Sequence, residues 1–285
     1  MELIYGDNQF LGVNHGSALK AKVQQQNFAV DSSVLELLFY CEELGVKSFS
    51  YTCTHRMNEI LKQYYAAGGR MKLCPTLPYA HTYAQRLGEN GPVGLAKFLL
   101  PRKKTEVCGL FLDLLINRDY TRIFEAIIKS EVNEALHDYI STIYLNNIFT
   151  DFILCDENPD LFTNFKNAVI KTIPNARAGL MTLNFPRLAS TIRNTDNLVL
   201  CSYFNPLGFR MNPSKIEAEH ALTTDLNVQI MAPFCAGAVT ASEFIEYLNH
   251  TNYSFSGVIF GSGNKDRIGE FVESVHEYND RCTTI

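Results

Sequence analysis

Residues 257–271 read GVIFGSGNKDRIGEF. The first four residues suit a buried strand, GSGN is a turn of small and polar residues, and the remainder has the apolar spacing of a helix. A strand that leads through a short turn into a helix is the building unit of a parallel sheet. This stretch therefore predicts an α/β protein.

The same unit recurs along the chain. The predicted strands are residues 3–6, 46–52, 71–77, 151–156, 176–183, 198–204, 228–234 and 257–262. Helical patterns lie between them, for example over 32–45 and 159–173. Eight strands that alternate with helices predict one (β/α)8 TIM barrel over residues 1–285. A doubly wound open sheet is the alternative, but eight strands are many for its single switch point.

One interval is too long for a barrel repeat. Residues 84–150 separate the predicted third and fourth strands, and their apolar spacing is helical. We therefore predict a helical insertion after the third strand. It would either cover the active-site face as a lid or add core and a subunit contact.

The composition limits the class of protein. Hydrophobic residues make up 46% and charged residues 19%, which suits a globular protein with a large core. A net charge of -5 argues against nucleic-acid binding, and no apolar run or signal-like start indicates a membrane or an exported protein. The 8 cysteines lack any C-x-x-C pair, so we expect buried free thiols. We expect a cytoplasmic protein with a small-molecule substrate and leave a homo-oligomer open.

The turn in the opening stretch is a candidate anion site. Backbone N–H groups of Ser262, Gly263 and Asn264, together with the following helix start, favour an anion, and Arg267 adds a fork of donors. Barrels commonly bind phosphate in the loops after strands seven and eight. The anion would belong to NADPH or to a phosphorylated substrate. Alternatively, the turn only connects the strand to the helix, its hydrogen-bonding groups are satisfied within the protein, and Arg267 is a surface arginine.

The same residues carry a family resemblance. Ser262, Arg267, Ile268 and Glu270 fit the pattern S-x-x-x-x-R-I-x-E, and the order of elements outside the insertion resembles the aldo-keto reductase superfamily. NPLGF (205–209) and GLMTLNF (179–185) are similar to the stretches after that family's sixth and fifth strands. The resemblance implies a TIM barrel whose last turn, with Glu270, binds the adenosine phosphate of NADPH.

The catalytic positions depart from the family pattern. The family's second strand ends F-D-T-A-x-x-Y, whereas residues 49–55 read FSYTCTH, so Ser50 replaces the Asp and His55 the Tyr. The other replacements are Thr76 for the Lys, Asp156 for the His, Cys201 for the Gln that holds the nicotinamide amide, and Pro233 for the Tyr that stacks on its ring. Ordinary carbonyl reduction is therefore not expected.

Polar side chains that follow the predicted strands are the other candidates, because barrel active sites lie at those strand ends. We predict His55 as the acid–base residue, since imidazole titrates near neutral pH and the position matches the family's proton donor. Asp156 would orient it, and Tyr79 or His81 would polarise a substrate oxygen. Alternatively, His55 only caps a helix. The predicted substrate-binding residues are Asp7, Asn8, Arg56, Glu157, Asn184, Asn205 and Arg210.

A divalent metal is a further alternative. His15, His55, His81 and Asp156 combine ligand types that suit zinc, manganese or iron, although no H-x-H or H-E-x-x-H spacing supports the site.

Three functions remain open at this stage. The first is acid–base catalysis, by isomerisation, epimerisation or elimination, on a small phosphorylated or sugar-like metabolite. The second is an NADPH-dependent oxidoreductase with His55 as proton donor, and the third is a catalytically inactive sensor or partner subunit.

Overall fold

A computed structural model describes residues 1–13, 17–78, 119–156, 158–192, 194–251 and 253–283. Eight parallel strands close into a barrel in sequence order, from β1 to β8, which confirms the predicted TIM barrel. The strands are β1 Glu2–Gly6, β2 Ser48–Thr52, β3 Lys72–Leu77, β4 Thr142–Leu145, β5 Arg177–Thr182, β6 Leu198–Ser202, β7 Val228–Met231 and β8 Gly257–Phe260.

Helices surround the barrel. The described α-helices are α1 Ala18–Asn27, α2 Asp31–Glu43, α3 His55–Ala66, α4 Thr121–Glu131, α5 Asn147–Cys155, α6 Asp160–Thr172, α7 Phe185–Thr191, α8 Lys215–His220, α9 Ala241–His250 and α10 Lys265–Thr283. In the described residues, 3-10 turns also cover Glu134–Tyr139 and Cys235–Gly237. Among these helices, none is long and apolar enough to cross a membrane.

One predicted strand is wrong. Residues 151–156 form the end of helix α5 and its C-cap, and the fourth strand is Thr142–Leu145, which pairs with β3 and β5. In α5, Ile153 and Leu154 are buried while Phe152 is 71% exposed, so the apolar run has one buried side only. A short apolar run does not distinguish strand from helix by periodicity, and the choice is made by packing.

The correction also changes the predicted insertion. Helix α4 packs on α6, with the rings of Phe124 and Phe165 5.4 Å apart, and occupies the position of a barrel helix between β3 and β4. Residues 119–150 therefore belong to the barrel. The remaining part of the predicted insertion, 84–118, lies outside the described residues.

The barrel interior is filled by side chains rather than open. Tyr144 of β4 is in register with Gly179 of β5, and a Cβ atom at Gly179 would lie 2.2 Å from Cδ1 of Tyr144. The Tyr144 hydroxyl donates to the side-chain oxygen of Gln229, so the fully buried phenol has a partner. Glycine at 179 thus provides the space for the tyrosine ring in the core.

Capping side chains fix where the helices begin, which is near the carboxyl ends of the strands. Thr54 caps α3, because its Oγ1 accepts a hydrogen bond from the nitrogen of Met57 at 3.1 Å. Side chains in the same role are Asn146 before α5, Asn184 before α7, Ser214 before α8 and Thr240 before α9. These starts form the rim of the barrel mouth.

The described cysteines are free thiols, as predicted, but the predicted burial is wrong for two of them. Cys41, Cys53, Cys74, Cys201 and Cys235 are free and buried, whereas Cys155 and Cys282 are free and exposed.

Candidate active site at the barrel mouth

Neutral polar side chains lie at or just after the carboxyl ends of β2, β3 and β4. Ser50, near the end of β2, is buried, and Thr76 of β3 is half-buried. Asn146 follows β4 directly, so it takes the position that the sequence analysis gave to Asp156. Asp156 is the exposed C-cap of α5, and the prediction that it follows a strand at the mouth is wrong. Its predicted pairing with His55 thereby loses its structural basis.

His55 is the first residue of α3 and is exposed. The alternative that this histidine caps the helix is wrong, because Thr54 is the cap. Within the described part of the chain, the imidazole makes no hydrogen bond or ion pair. It therefore lies at the start of a helix that begins at the mouth, with its ring nitrogens open to solvent or a ligand.

Asp7 has the perturbed titration that an acid–base residue needs. It follows β1, it is only 7% exposed, and its Oδ2 accepts a hydrogen bond from the backbone nitrogen of Thr52 at 2.7 Å. Burial raises the pKa of the carboxyl from its ordinary 3.8 to about 6, and the hydrogen bonds from Thr52 oppose this rise only partly. From the sequence, Asp7 is predicted only as a substrate-binding residue, because the burial of its carboxyl is not readable from one Asp after a strand.

The end of β1 also supports the anion turn, through two residues that the sequence analysis did not predict as site residues. The Tyr5 hydroxyl donates to the carbonyl oxygen of Ser262 at 2.6 Å. Gln9 is buried and donates to the carbonyl of Gly6 at 2.6 Å, and its Oε1 would lie 2.7 Å from a Cβ atom at Gly261. These contacts fix the turn after β8 against β1.

The turn itself leaves donors for an anion. Ser262 Oγ accepts from the nitrogen of Asn264 at 3.1 Å, and Asn264 Oδ1 accepts from the nitrogen of Arg267 at 2.9 Å. The N–H groups of Gly263, Lys265 and Asp266 have no acceptor among the described residues. Because the helix dipole also favours negative charge at this end, the turn can bind a phosphate.

The two cationic side chains at the turn differ in whether they form an ion pair with the described residues. Lys265 pairs with Glu36 at 2.5 Å and lies over the Tyr40 ring. Arg267 is exposed and has no ion pair within the described part of the molecule, so its guanidinium is available to a ligand. Glu270 is exposed on the next turn of the helix.

Several predicted substrate-binding residues have structural partners instead. Arg56 donates to Asp31 at 2.8 Å and to the carbonyl oxygens of Phe28 and Ala29, so it holds the segment before α2. The Asn184 side chain caps α7. Asn8 is exposed, without a side-chain hydrogen bond to the described residues.

The segment after β6 combines a buried asparagine with an arginine that has no ion pair to the described residues. Asn205 is fully buried, and its side-chain amide bonds both the nitrogen and the carbonyl oxygen of Phe209, each at 2.9 Å. Arg210 follows, half-buried, with Nη1 3.4 Å from the Tyr203 hydroxyl.

The remaining predicted site residues lie outside the described residues: Tyr79, His81, His15 and Glu157. In the part of the chain that is described, no group of three or more His, Cys, Asp or Glu side chains could hold a metal ion. The metal site with His15, His55, His81 and Asp156 stays a prediction for its undescribed members, and Asp156 is not at the mouth.

A cleft of about 290 Å³ lies between the segments that follow β6 and β7, lined among others by Leu207, Lys215, Tyr247 and His250. It contains none of the predicted site residues. We therefore assign the chemistry to the mouth.

Comparisons with known proteins describe the fold only. No family model matches the chain, and no curated protein matches its sequence. Among solved structures, the chain is similar to an aldo/keto reductase from Brucella melitensis, with 11% identity, a TM-score of 0.49, and coverage of 95% of this chain and 88% of that chain. At this identity and score, no residue role is transferred from that structure.

Proposed function

We propose that the protein is an enzyme that moves a proton on a small anionic metabolite, phosphorylated or sugar-like, by acid–base catalysis. The observation that carries the proposal is the buried carboxyl of Asp7, whose pKa lies at about 6 at the strand-end mouth. A general acid or base is most effective when its pKa is near the working pH. Isomerisation, epimerisation and elimination all begin with such a proton transfer.

Each mouth residue has a role in this proposal. Ionised Asp7 takes a proton from a carbon next to a substrate carbonyl, while the N–H of Thr52 holds the carboxylate in place. His55 returns a proton from the solvent side of the mouth. Ser50, Thr76 and Asn146 offer neutral hydrogen-bonding groups that suit the hydroxyls of a sugar-like substrate. The turn with Arg267 holds the substrate phosphate.

Deuterium exchange tests the proposal without knowledge of the product. A panel of sugar phosphates and sugar acids is incubated with the protein in D₂O and followed by proton NMR. We expect one class to exchange a C–H next to its carbonyl, and Asp7→Asn to slow that exchange by roughly 10²-fold or more, the usual contribution of an acid–base group.

The matched control is Asp138→Asn, at an exposed carboxylate in the 3-10 turn Glu134–Tyr139, which should leave exchange unchanged. If no compound exchanges, or if Asp7→Asn exchanges at the wild-type rate, acid–base catalysis by Asp7 is excluded.

An NADPH-dependent oxidoreductase is the second candidate, favoured by the guanidinium of Arg267 and the N–H donors of its turn, for which the described residues offer no ion pair or acceptor. These residues fit the adenosine phosphate of NADPH, which when bound supplies a hydride, with His55 donating the proton to the carbonyl oxygen. At the nicotinamide end the fit is poor, because fully buried Cys201 and buried Pro233 provide neither an amide nor an aromatic ring.

Fluorescence titration separates the two candidates. Tight NADPH binding that is lost in Arg267→Ala, and kept in the same-helix control Arg281→Ala, supports the oxidoreductase. If NADPH does not bind, the turn is interpreted as a site for a substrate phosphate. Ligand binding with neither exchange nor reduction supports an inactive sensor.

A further inference from the structure

The guanidinium of Arg210 is a partly buried cation without a carboxylate partner in the described structure. Its carbon lies 5.8 Å from the centre of the Tyr203 ring and 5.5 Å from that of Phe209. Its one hydrogen-bond contact is the 3.4 Å approach of Nη1 to the neutral Tyr203 hydroxyl. Because moving a charge out of water is costly without an opposite charge, a partly buried guanidinium in this state is suited to bind an anionic ligand.

The backbone presents Arg210 in a fixed position. Its φ is 58°, in the left-handed region that side-chain-bearing residues rarely adopt. The buried amide of Asn205 clamps the preceding residue, Phe209, from both backbone groups. On the other side, the nitrogen of Asn212 donates to the carbonyl oxygen of Leu183 at 3.0 Å, at the end of β5. The loop after β6 is therefore held to the end of β5 on this side, and Arg210 lies between the two attachments.

The local charge indicates which anion fits. Lys215, the neighbouring cation, is engaged with the carbonyl of Pro206 at 3.0 Å, the Tyr247 ring, and Glu219 at 3.9 Å. Arg210 thus offers one positive charge that has no carboxylate partner among the described residues, and a planar fork of donors next to the hydroxyl of Tyr203. A singly charged carboxylate matches this set better than a doubly charged phosphate.

We propose that Arg210 binds the carboxylate of the substrate, so that the substrate is a sugar acid or related hydroxy acid. This proposal rests on the proposed function, because it assumes that the bound molecule is the substrate. It adds a second binding group to that function. The turn at Arg267 binds the phosphate of the substrate, and Arg210 binds its carboxylate.

Calorimetric titration with matched probe pairs tests this. Gluconate is compared with sorbitol, and 6-phosphogluconate with sorbitol 6-phosphate, so that each pair differs in the carboxylate. We expect the acid of each pair to bind at least about tenfold more tightly, the effect of one charged hydrogen-bonded pair. Arg210→Gln should abolish that preference and leave the affinity for the sorbitol compounds unchanged.

Control variants test whether the preference for the acid depends on the planar donors of the Arg210 guanidinium. Arg210→Lys keeps the charge without the planar donors and should retain only part of the preference. Arg267→Gln should weaken both phosphorylated probes equally. The proposal is overturned if neither acid binds better than its sorbitol counterpart, or if Arg210→Gln keeps the preference.

A second measurement follows ligand binding on the wild-type protein, and the variant serves only to assign the signal. The NMR signal of the Arg210 Nε–H group, assigned by its loss in Arg210→Gln, should shift on addition of gluconate and stay in place with sorbitol. The proposal is also overturned if this signal does not shift at a saturating concentration of gluconate. Deuterium exchange reports separately on the proposed function. If the Arg210-dependent preference is found without exchange, the carboxylate site is retained and the acid–base reaction is rejected. If Asp7-dependent exchange is found without a carboxylate preference, the acid–base reaction is retained and the carboxylate site is rejected.

Discussion

The Oδ2 atom of Asp7 lies 2.7 Å from the backbone nitrogen of Thr52, and this hydrogen bond joins the ends of β1 and β2. The contact favours the ionised carboxylate and lowers its pKa. Removal of the carboxyl from water acts in the opposite direction and is the larger effect, so the pKa rises to about 6. One residue thus holds two strands together and titrates near neutral pH.

Asp7→Asn is expected to change how stability depends on pH. The pKa in the folded protein, about 6, exceeds the ordinary 3.8, so the folded state retains the proton longer than the unfolded state. Wild-type stability should therefore fall by on the order of 3 kcal/mol as the pH rises from about 4 to about 7. The neutral variant lacks this loss. Urea unfolding at several pH values measures the difference, with Asp138→Asn as the control; parallel curves for wild type and Asp7→Asn would contradict the pKa.

Gly179→Ala should destabilise the barrel. The new Cβ atom would meet Cδ1 of Tyr144 at 2.2 Å, and the enclosed ring cannot move away without disturbing its bond to Gln229. We expect a loss of about 1–3 kcal/mol in the free energy of unfolding. Tyr144→Leu in the same chain should relieve the clash, so the double variant should lose less than the sum of the two single losses. Additive losses would show that the ring is not the obstacle.

Gly263→Ala should weaken anion binding more than it weakens the fold. A Cβ atom there would lie 2.9 Å from Cε2 of Phe28, whose ring already packs on Phe10 at 4.9 Å. The turn must shift and misalign its N–H donors, so inorganic phosphate should bind about tenfold more weakly in a phosphorus NMR titration. Phe28→Leu makes room and should restore affinity in the double variant. Unchanged affinity in Gly263→Ala would place the anion elsewhere.

Asn205→Ala should release the segment that carries Arg210. Both backbone groups of Phe209 lose their buried partner, at a cost of about 1–3 kcal/mol. The Arg210 Nε–H signal should broaden or move, because the left-handed backbone is no longer held. Asn133→Ala removes the cap of a distant 3-10 turn and should leave that signal unchanged, at a cost of about 1 kcal/mol. If the signal does not move in Asn205→Ala, the Asn205 side chain does not hold Arg210 in position.

The sequence predicted most strands of the barrel because each strand–turn–helix unit is local. The error at β4 is informative: Thr142–Leu145 and residues 151–156 are both short apolar runs, and no periodicity separates them. Only packing shows that Ile153 and Leu154 face the core while Phe152 faces outward.

The order of residues by itself determined the barrel and, for every strand except the fourth, the polar side chains that follow it, since strand ends are set largely by neighbouring residues in the chain. It also predicted a histidine, His55, and a threonine, Thr76, near the ends of the second and third strands. Tertiary structure alone decided which of these side chains can act. The pKa of Asp7 depends on its burial and on Thr52, 45 positions away, and the freedom of Arg210 depends on Asn205, Tyr203 and the engagement of Lys215. Burial and charge pairing are properties of the space around a group, and the folded chain creates that space.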